Sequence, residues 1–352
     1  MTPPTPGAAT VTPAPGRPVV RPRRPVSQVL AGHGHGPTRG RGAIAAPPVE
    51  AVDALDGAAT VAPPRSRLAA YVALTKPRII ELLLVTTVPT QVVAARGLPS
   101  GWLVLWTVLG GTFAAGGANA INMVVDRDID RLMKRTRNRP LVTGELTPRA
   151  ALAFALGLEV AAFALLWGAV NLLSAVLAVS ATLFYVFVYT MWLKRTSKQN
   201  IVIGGAAGAA PVLIGWSSVT GSLAWAPVVL FAVIFVWTPP HFWALAVRYR
   251  EDYAAAEVPM YPVVATLRAT TVRIVAYTAV MWALTLAFGV VADMGALYGA
   301  AALVLGGAYL ALTLDLLRRP EADRAMRLFH WSITYVTLLF GAMALDQLLA
   351  AP

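Results

Sequence analysis

The sequence predicts an all-α, polytopic membrane protein, with about nine transmembrane helices in a bundle and Asp-rich loops on its cytoplasmic side. Three observations lead to this prediction. Of the 352 residues, 57% are hydrophobic and only 13% are charged. Apolar stretches long enough to cross a bilayer as helices recur along the chain. Basic residues gather in every second connection between those stretches, as in proteins whose cytoplasmic loops are positively charged.

Nine apolar stretches are expected to span the membrane, and the fifth is the least regular because three glycines and Pro211 interrupt it. Each is long enough, at the rise of an α-helix, to cross the hydrocarbon layer. The nine stretches are residues 79–96, 101–124, 150–168, 171–193, 200–218, 223–246, 272–292, 296–316 and 327–349.

The net charge of +12 reflects membrane topology rather than nucleic-acid binding. Basic residues fill the connections on one side of the predicted spans, whereas Arg96 alone lies on the other side. This asymmetry places the N-terminus and the Asp-rich loops in the cytoplasm and the C-terminus outside the cell membrane. The lipid bilayer is therefore the expected surrounding, and no nucleic acid is expected as a partner.

Residues 1–64 differ in composition from the rest of the chain. They are rich in Pro, Gly, Ala and Arg and lack aromatic residues. This composition predicts a disordered cytoplasmic tail, followed by a membrane domain over residues 65–352. The sequence contains no cysteine, which excludes disulfides, thiolate metal sites and thiol catalysis.

Asn122 lies near the end of the second span, and Asp126 and Asp130 come after it at intervals of four residues. In a helix this spacing turns each side chain about 40° from the last, so the three form one narrow polar stripe. Two neighbouring carboxylates share a cation readily, and Mg²⁺ prefers hard oxygen ligands with room left for phosphate and water. Alternatively, these polar residues only mark the solvated boundary of a membrane helix and bind no ligand. Lys134 would continue the stripe if the helix persists.

Basic residues crowd around this stripe, which favours the binding of a metal-complexed diphosphate.

A second cytoplasmic cluster places His241, Arg248 and Asp252 on one helical face, although Arg248 and Asp252 could equally form a surface ion pair. His241 and His330 lie within spans and are candidates for contacting a cofactor or a haem, or for plain packing. The candidate diphosphate-binding cations are Arg127, Lys134, Arg135, Arg139, Lys194, Arg195 and Arg248.

Several segments resemble the UbiA-type intramembrane prenyltransferases, and more narrowly the branch that farnesylates haem. The resemblance covers about residues 68 to 350. The similar segments are LTKPRI at 74–79, ANAIN at 118–122 continuing to Asp130, KRTRNRPL at 134–141, KRTSKQNI at 194–201 with Gly204 and Gly205, PPHFW at 239–243, and Asp252-Tyr253 through Pro259-Met260. The wider superfamily has a second aspartate four residues after the position of Asp252, where this chain has Ala256, with Glu257 one step out of register.

The resemblance implies transfer of a farnesyl group from farnesyl diphosphate to a vinyl group of haem b, with addition of water, giving haem O. It implies that Asp126 and Asp130, opposed by Asp252, hold Mg²⁺, and that Asn122 orients a phosphate oxygen or a metal-bound water. Haem A synthase or assembly proteins of terminal oxidases are implied partners. Two other functions stay open: prenylation of an aromatic or quinone precursor, and non-catalytic carriage of haem or lipid.

Overall fold

The structure, a computed structural model, describes residues 65–350, apart from the side chains of Ile79 and Leu82. The predicted disordered tail at residues 1–64 lies outside the described residues. Within 65–350 the secondary structure is helical and contains no strand, so the all-α prediction is confirmed.

The helices follow one another with short connections. They are α1 (Arg67–Thr75), α2 (Pro77–Ala95), α3 (Gly101–Val125), α4 (Arg127–Leu132), α5 (Pro140–Thr143), α6 (Pro148–Ala169), α7 (Leu172–Leu183), a π-helix (Phe184–Leu193), α8 (Lys194–Thr196), α9 (Asn200–Thr220), α10 (Trp225–Arg248), α11 (Arg250–Ala255), α12 (Tyr261–Val264), α13 (Leu267–Val291), α14 (Ala296–Arg318) and α15 (Ala322–Ala350).

Eight helices of the described part are long and apolar enough to span a membrane, counting α7, the π-helix and α8 as one. The first expected span, α2, has a shorter apolar stretch, Leu83–Ala95, because Arg78 and Glu81 lie near its start. It still crosses the bundle. Lys76, just before α2, contacts Asn122 near the end of α3, and α3 follows α2 along the chain, so the two helices run in opposite directions.

The glycines of the fifth expected span allow close helix packing and do not break α9, which is continuous through Pro211. A Cβ at Gly215 would lie 2.6 Å from the carbonyl oxygen of Thr87 on α2, and one at Gly205 would lie 3.0 Å from Thr238 on α10. Small residues at such contacts let helix backbones approach closely in membranes. The helix α9 therefore packs directly between α2 and α10.

The largest buried cluster lies among α10, α13, α14 and α15, around fully buried aromatic side chains such as Tyr309, Tyr335 and Phe340. The helix α2 also packs against α15, and α3 packs against α6. The bundle thus brings one end of α3, the end of α8 and the beginning of α2 to the same side, where the short helices α4, α5, α11 and α12 lie.

Candidate active site

The predicted polar stripe spans a break between two helices. The helix α3 ends at Val125, Asp126 adopts φ −86° and ψ 8°, and α4 begins at Arg127. Hydrogen bonds of the helical type continue across the break, from the amide of Asp126 to the carbonyl of Asn122 at 2.9 Å and from the amide of Asp130 to the carbonyl of Asp126 at 2.8 Å. The three side chains consequently lie one turn apart, and all three are buried.

The stripe does not extend to Lys134. The helix α4 ends at Leu132, and Met133 is extended with φ −97° and ψ 126°. Lys134 is exposed as a result. The backbone changes direction at Met133, so Lys134 points away from the stripe. The same turn lets the following loop return toward Asp130.

Asp126 is fully buried and is surrounded by donors from two helices. Lys194 forms an ion pair with its Oδ2, and Asn122 Nδ2 donates to the same oxygen at 2.7 Å. The guanidinium of Arg195 lies 3.6 Å from Oδ1. Oδ1 is buried and accepts no hydrogen bond. A buried carboxylate oxygen without a hydrogen bond carries a desolvation cost that a cation ligand removes.

Asp130 is paired with a cation supplied by the following loop. Arg139 donates to Asp130 Oδ2 at 2.6 Å, and its side chain is only 18% exposed. The hydroxyl of Thr136 donates to the carbonyl oxygen of Asp130 at 3.0 Å. These two contacts fold residues 133–139 back over the stripe, so one carboxylate and one guanidinium lie next to each other at its end.

Arg195 forms a second, bidentate ion pair with Asp128, at 2.7 and 2.8 Å. Its Nη2 also donates to the carbonyl of Val125 at 3.0 Å. The Arg195 guanidinium lowers the pKa of the exposed Asp128 to about 2. Asp128 therefore orients the arginine that approaches Asp126. Sequence reasoning expected a structural role for Asp128, on the helical face opposite Asp126, but did not identify Arg195 as its partner because the contact joins two helices far apart in the chain.

The π-helix supplies both Thr190 and the approach to Lys194. Asn122 Nδ2 donates to Thr190 Oγ1 at 3.1 Å, and Lys194 follows one π-turn later. A π-helix has more residues per turn than an α-helix and occurs often at functional sites. Thr190 and Lys194 both face α3, where they contact Asn122 and Asp126. The rings of Tyr185 and Tyr189 stack at 5.4 Å beside it.

Lys76 is a member of the site to which sequence reasoning gave no role there, although it counted Lys76 among the cytoplasmic charges and within the LTKPRI segment. Its Nζ donates to Asn122 Oδ1 at 2.9 Å. Asn122 is thus held by Lys76 on its oxygen and by Asp126 and Thr190 on its nitrogen. A signal was present in the sequence, since a Lys-Pro pair directly before a membrane span places a cation at the mouth of the bundle.

Asp252 lies near the loop that follows the stripe, and its Oδ2 accepts from the backbone amide of Arg135 at 3.4 Å. No group of three or more His, Cys, Asp or Glu side chains converges as a metal cluster within residues 65–350. Ala256 is buried, and Glu257 is exposed with φ 53°. The acidic side chains that the structure places one helical turn apart are therefore those of the first stripe, Asp126 and Asp130.

The expected face of His241, Arg248 and Asp252 spans a break between two helices, and helical hydrogen bonds continue across it, from the amide of Tyr249 to the carbonyl of Leu245 at 3.2 Å and from the amide of Tyr253 to the carbonyl of Tyr249 at 3.1 Å. The helix α10 continues through Pro239 and Pro240 but ends at Arg248, and Tyr249 separates it from α11. In the part of the chain that the structure describes, the exposed Arg248 makes no ion pair with Asp252.

His241 is buried between two aromatic rings. Its ring stacks on Trp237 at 4.3 Å and on Phe329 at 4.6 Å, and its Nδ1 is 2.6 Å from Ser332 Oγ. His330 is exposed on α15 and meets only the edge of Phe329. The structure thus separates the two histidines: His241 faces the bundle and His330 faces outward.

The remaining candidate cations lie at the mouth of the site. Arg127 is half-buried, and the side chains of Lys134 and Arg135 are exposed. The site as a whole alternates carboxylates with cations around one buried amide, Asn122. Carboxylates suit a divalent ion, and lysine and arginine suit phosphate oxygens. This arrangement is able to bind an anion such as a metal-complexed diphosphate.

Comparisons with known proteins agree with this chemistry. The sequence profile described as the UbiA prenyltransferase family matches residues 83–334. A protein named protoheme IX farnesyltransferase from Parafrankia sp. (strain EAN1pec) is 54% identical over 296 residues, which are 81% of this chain and 95% of that protein. A protein of the same name from Kineococcus radiotolerans is 55% identical over 303 residues, covering 81% and 89%.

One solved structure, of a UbiA homolog from Archaeoglobus fulgidus bound to GPP and Mg²⁺, has a TM-score of 0.57 to this chain. The two share 19% sequence identity, and the match covers 78% of this chain and 99% of the homolog. At this identity the likeness concerns the fold.

Proposed function

The chain belongs to the UbiA prenyltransferase family, and from that premise we propose that it transfers the farnesyl group of farnesyl diphosphate to a vinyl group of haem b. Water adds in the same reaction, and the products are haem O and diphosphate. The proposal is supported by the relatives named protoheme IX farnesyltransferase, which match this chain over most of both lengths. The protein is an integral, multi-pass membrane protein.

The observation that carries the proposal is the pair of buried carboxylates one turn apart, each held by a cation. Asp126 and Asp130 are 0% and 2% exposed, and Asp126 Oδ1 lacks a hydrogen-bond partner. These residues fit Mg²⁺, with Asp252 on α11 as a further carboxylate, next to the loop that follows the stripe. When bound, Mg²⁺ neutralises charge on the leaving diphosphate. The homolog from Archaeoglobus fulgidus, which is bound to GPP and Mg²⁺, is in keeping with this choice of metal.

The chain's own cations stabilise the departing diphosphate. When the allylic C–O bond breaks, its electron pair goes to the diphosphate oxygen, and Lys194, Arg195 and Arg139 offer N–H donors to the charge that develops there. Preorganised donors of this kind are usually the largest catalytic contribution. Asn122 orients a phosphate oxygen or a water. The exposed Lys134, Arg135 and Arg248, together with Arg127, raise the local concentration of the anionic substrate.

The apolar bundle protects the farnesyl cation until the haem vinyl group reacts with it. The vinyl π-electrons form the new C–C bond, the charge moves to the carbon beside the porphyrin, and water then adds there and loses a proton. Water must be kept from the first cation and admitted to the second. The apolar ends of the spans next to Asn122 provide the dry environment for the first step.

His241 is the proposed haem contact within the bundle. The contact between its Nδ1 and Ser332 leaves Nε2 as the nitrogen available to a ligand, and a hydrogen bond on the opposite nitrogen is common for metal-binding histidines. Trp237 and Phe329 offer aromatic surface beside it. The exposed His330 is the second candidate and would contact a haem that approaches α15 from outside.

We place the protein in the cell membrane with the N-terminus and the active-site loops in the cytoplasm and the C-terminus outside, in keeping with the distribution of basic residues. Its product would pass to haem A synthase or to proteins that assemble terminal oxidases.

The experiment uses the purified full-length protein in lipid nanodiscs with haem b, farnesyl diphosphate and Mg²⁺. A farnesylated, hydrated haem detected by mass spectrometry supports the proposal, and chelation of Mg²⁺ stops its formation. Asp126→Ala should form no product although the protein inserts into membranes. The control Asp323→Ala changes an exposed aspartate at the start of α15 and should leave turnover unchanged.

Two outcomes contradict the proposed reaction. Unmodified haem together with a prenylated quinone precursor would indicate another acceptor. Bound but unaltered haem with no diphosphate release would indicate a carrier. Near-normal turnover of Asp126→Ala would reject the metal-binding role of the stripe.

A further inference from the structure

Lys76 joins α1 to α2 in a backbone conformation that is unfavourable for a non-glycine residue followed by proline. It has φ 54° and ψ 64°, the left-handed region, and the next residue is Pro77. A proline restricts the preceding residue to extended conformations, and a non-glycine residue in a sparsely populated region costs on the order of 1–3 kcal/mol. The surrounding structure therefore holds Lys76 in place against a local preference.

Contacts with α3 hold this corner. Asn119 Nδ2 donates to the carbonyl oxygen of Thr75 at 3.0 Å, and Lys76 Nζ donates to Asn122 Oδ1 at 2.9 Å. Asn119 and Asn122 are both buried and lie one turn apart on α3. The corner between α1 and α2 is thus fastened to the helix that carries the stripe, and the ammonium group points into the site.

The ammonium of Lys76 has no carboxylate partner. Within residues 65–350 no Asp or Glu oxygen lies at ion-pair distance from it, and its one hydrogen bond goes to a neutral amide. Burial, followed by the neighbouring charges of Arg139 and Lys194, holds the pKa of Lys76 well below its usual range, and the charges of Asp126 and Asp130 offset this only in part. Cations thus crowd around this position, and an unpaired ammonium there is costly unless an anion joins it.

The inner cluster carries surplus positive charge. Lys76, Lys194 and Arg139 face the two carboxylates Asp126 and Asp130. A diphosphate carrying one Mg²⁺ has a net negative charge at neutral pH, so it balances this surplus. A lysine acts as a point charge with freely rotating donors, which suits a phosphate oxygen.

We propose that Lys76 binds the diphosphate of the prenyl donor directly, as a further cation of the site contributed by the corner between α1 and α2. That the anion is a prenyl diphosphate rests on the proposed function. Asn122 Oδ1 accepts from one donor of Lys76, and the remaining donors of the ammonium group are available to phosphate oxygens.

The test compares Lys76→Met with Arg78→Met in the full-length protein in nanodiscs. Arg78 is exposed two residues further on and serves as the matched loss of one positive charge. The probe is inorganic pyrophosphate with Mg²⁺, measured by calorimetry without haem. Loss of a charge-assisted hydrogen bond predicts pyrophosphate binding that is ~10–100-fold weaker in Lys76→Met. Binding should stay unchanged in Arg78→Met and fall only a few-fold in Lys76→Arg.

Pyrophosphate binding of Lys76→Met as tight as that of the unaltered protein overturns the proposal. If Lys76→Met does not accumulate as a folded protein, the proposal is tested on the unaltered protein by measuring how fast an amine-reactive reagent labels Lys76. Mg²⁺ and pyrophosphate should protect Lys76 and leave the exposed Lys198 equally reactive, and an unprotected Lys76 overturns the proposal. Absence of haem O with intact, Lys76-dependent pyrophosphate binding would refute the proposed acceptor and leave this inference standing.

Discussion

Replacing Lys194 with methionine should tighten the binding of Mg²⁺ by the substrate-free protein. Lys194 forms the ion pair with Asp126, and the two side chains are 14% and 0% exposed. Mg²⁺ has to displace this ammonium before it reaches the carboxylate. In the variant, Asp126 keeps the hydrogen bond from Asn122 and the more distant Arg195, but it loses its strongest partner.

The size of the effect follows from the cost of the broken pair. Removal of one partner from a buried ion pair costs ~3–5 kcal/mol, and we take the lower value because Lys194 is partly exposed. Mg²⁺ that replaces the missing charge recovers this free energy. At 1.4 kcal/mol for each factor of ten, ~3 kcal/mol corresponds to roughly 100-fold tighter binding of Mg²⁺.

Thermal unfolding in nanodiscs over a series of Mg²⁺ concentrations measures this. Lys194→Met should unfold at a lower temperature than the unaltered protein without Mg²⁺, and its Tm should rise at far lower Mg²⁺ concentrations. Turnover should nevertheless fall, because a donor to the departing diphosphate is lost. The control Lys198→Met removes an exposed lysine four residues further on and should behave as the unaltered protein. An identical response of Lys194→Met and the unaltered protein to Mg²⁺ would refute the assignment of Asp126 as a metal ligand.

Two further substitutions test the π-helix and the haem contact. Gly204→Ala places a methyl group against the ring of Tyr189. It should destabilise the protein by ~1–3 kcal/mol and lower kcat, whereas Gly208→Ala, with open space around it, should leave Tm and kcat unchanged. His241→Ala should alter the absorption spectrum of bound haem and raise the KM for haem, with the KM for farnesyl diphosphate unchanged. An unaltered spectrum would exclude His241 as the contact and would direct the same measurement to His330.

Local features of the chain account for most of what could be predicted. The positions of the spans, including the interrupted fifth one, follow from runs of apolar residues, because in lipid every backbone hydrogen bond must be satisfied within the helix. The spacing of Asn122, Asp126 and Asp130 likewise survives the break between α3 and α4, since the hydrogen bonds between residues four apart continue. Sequence reasoning extended the same periodicity to Lys134, but there the backbone turns away at Met133. It also placed Arg248 beside Asp252 as a possible ion pair, which does not form within residues 65–350.

The amino-acid sequence by itself determined the helical membrane fold, the polar stripe and the family, because these depend on residues near one another in the chain. The tertiary structure decided which cation meets which carboxylate: Lys194 meets Asp126, Arg195 meets Asp128, and Lys76 meets the amide of Asn122. The physical reason is that such contacts depend on how each helix is rotated and how deeply it packs. A π-turn or a strained corner changes that rotation without changing the hydrophobic pattern.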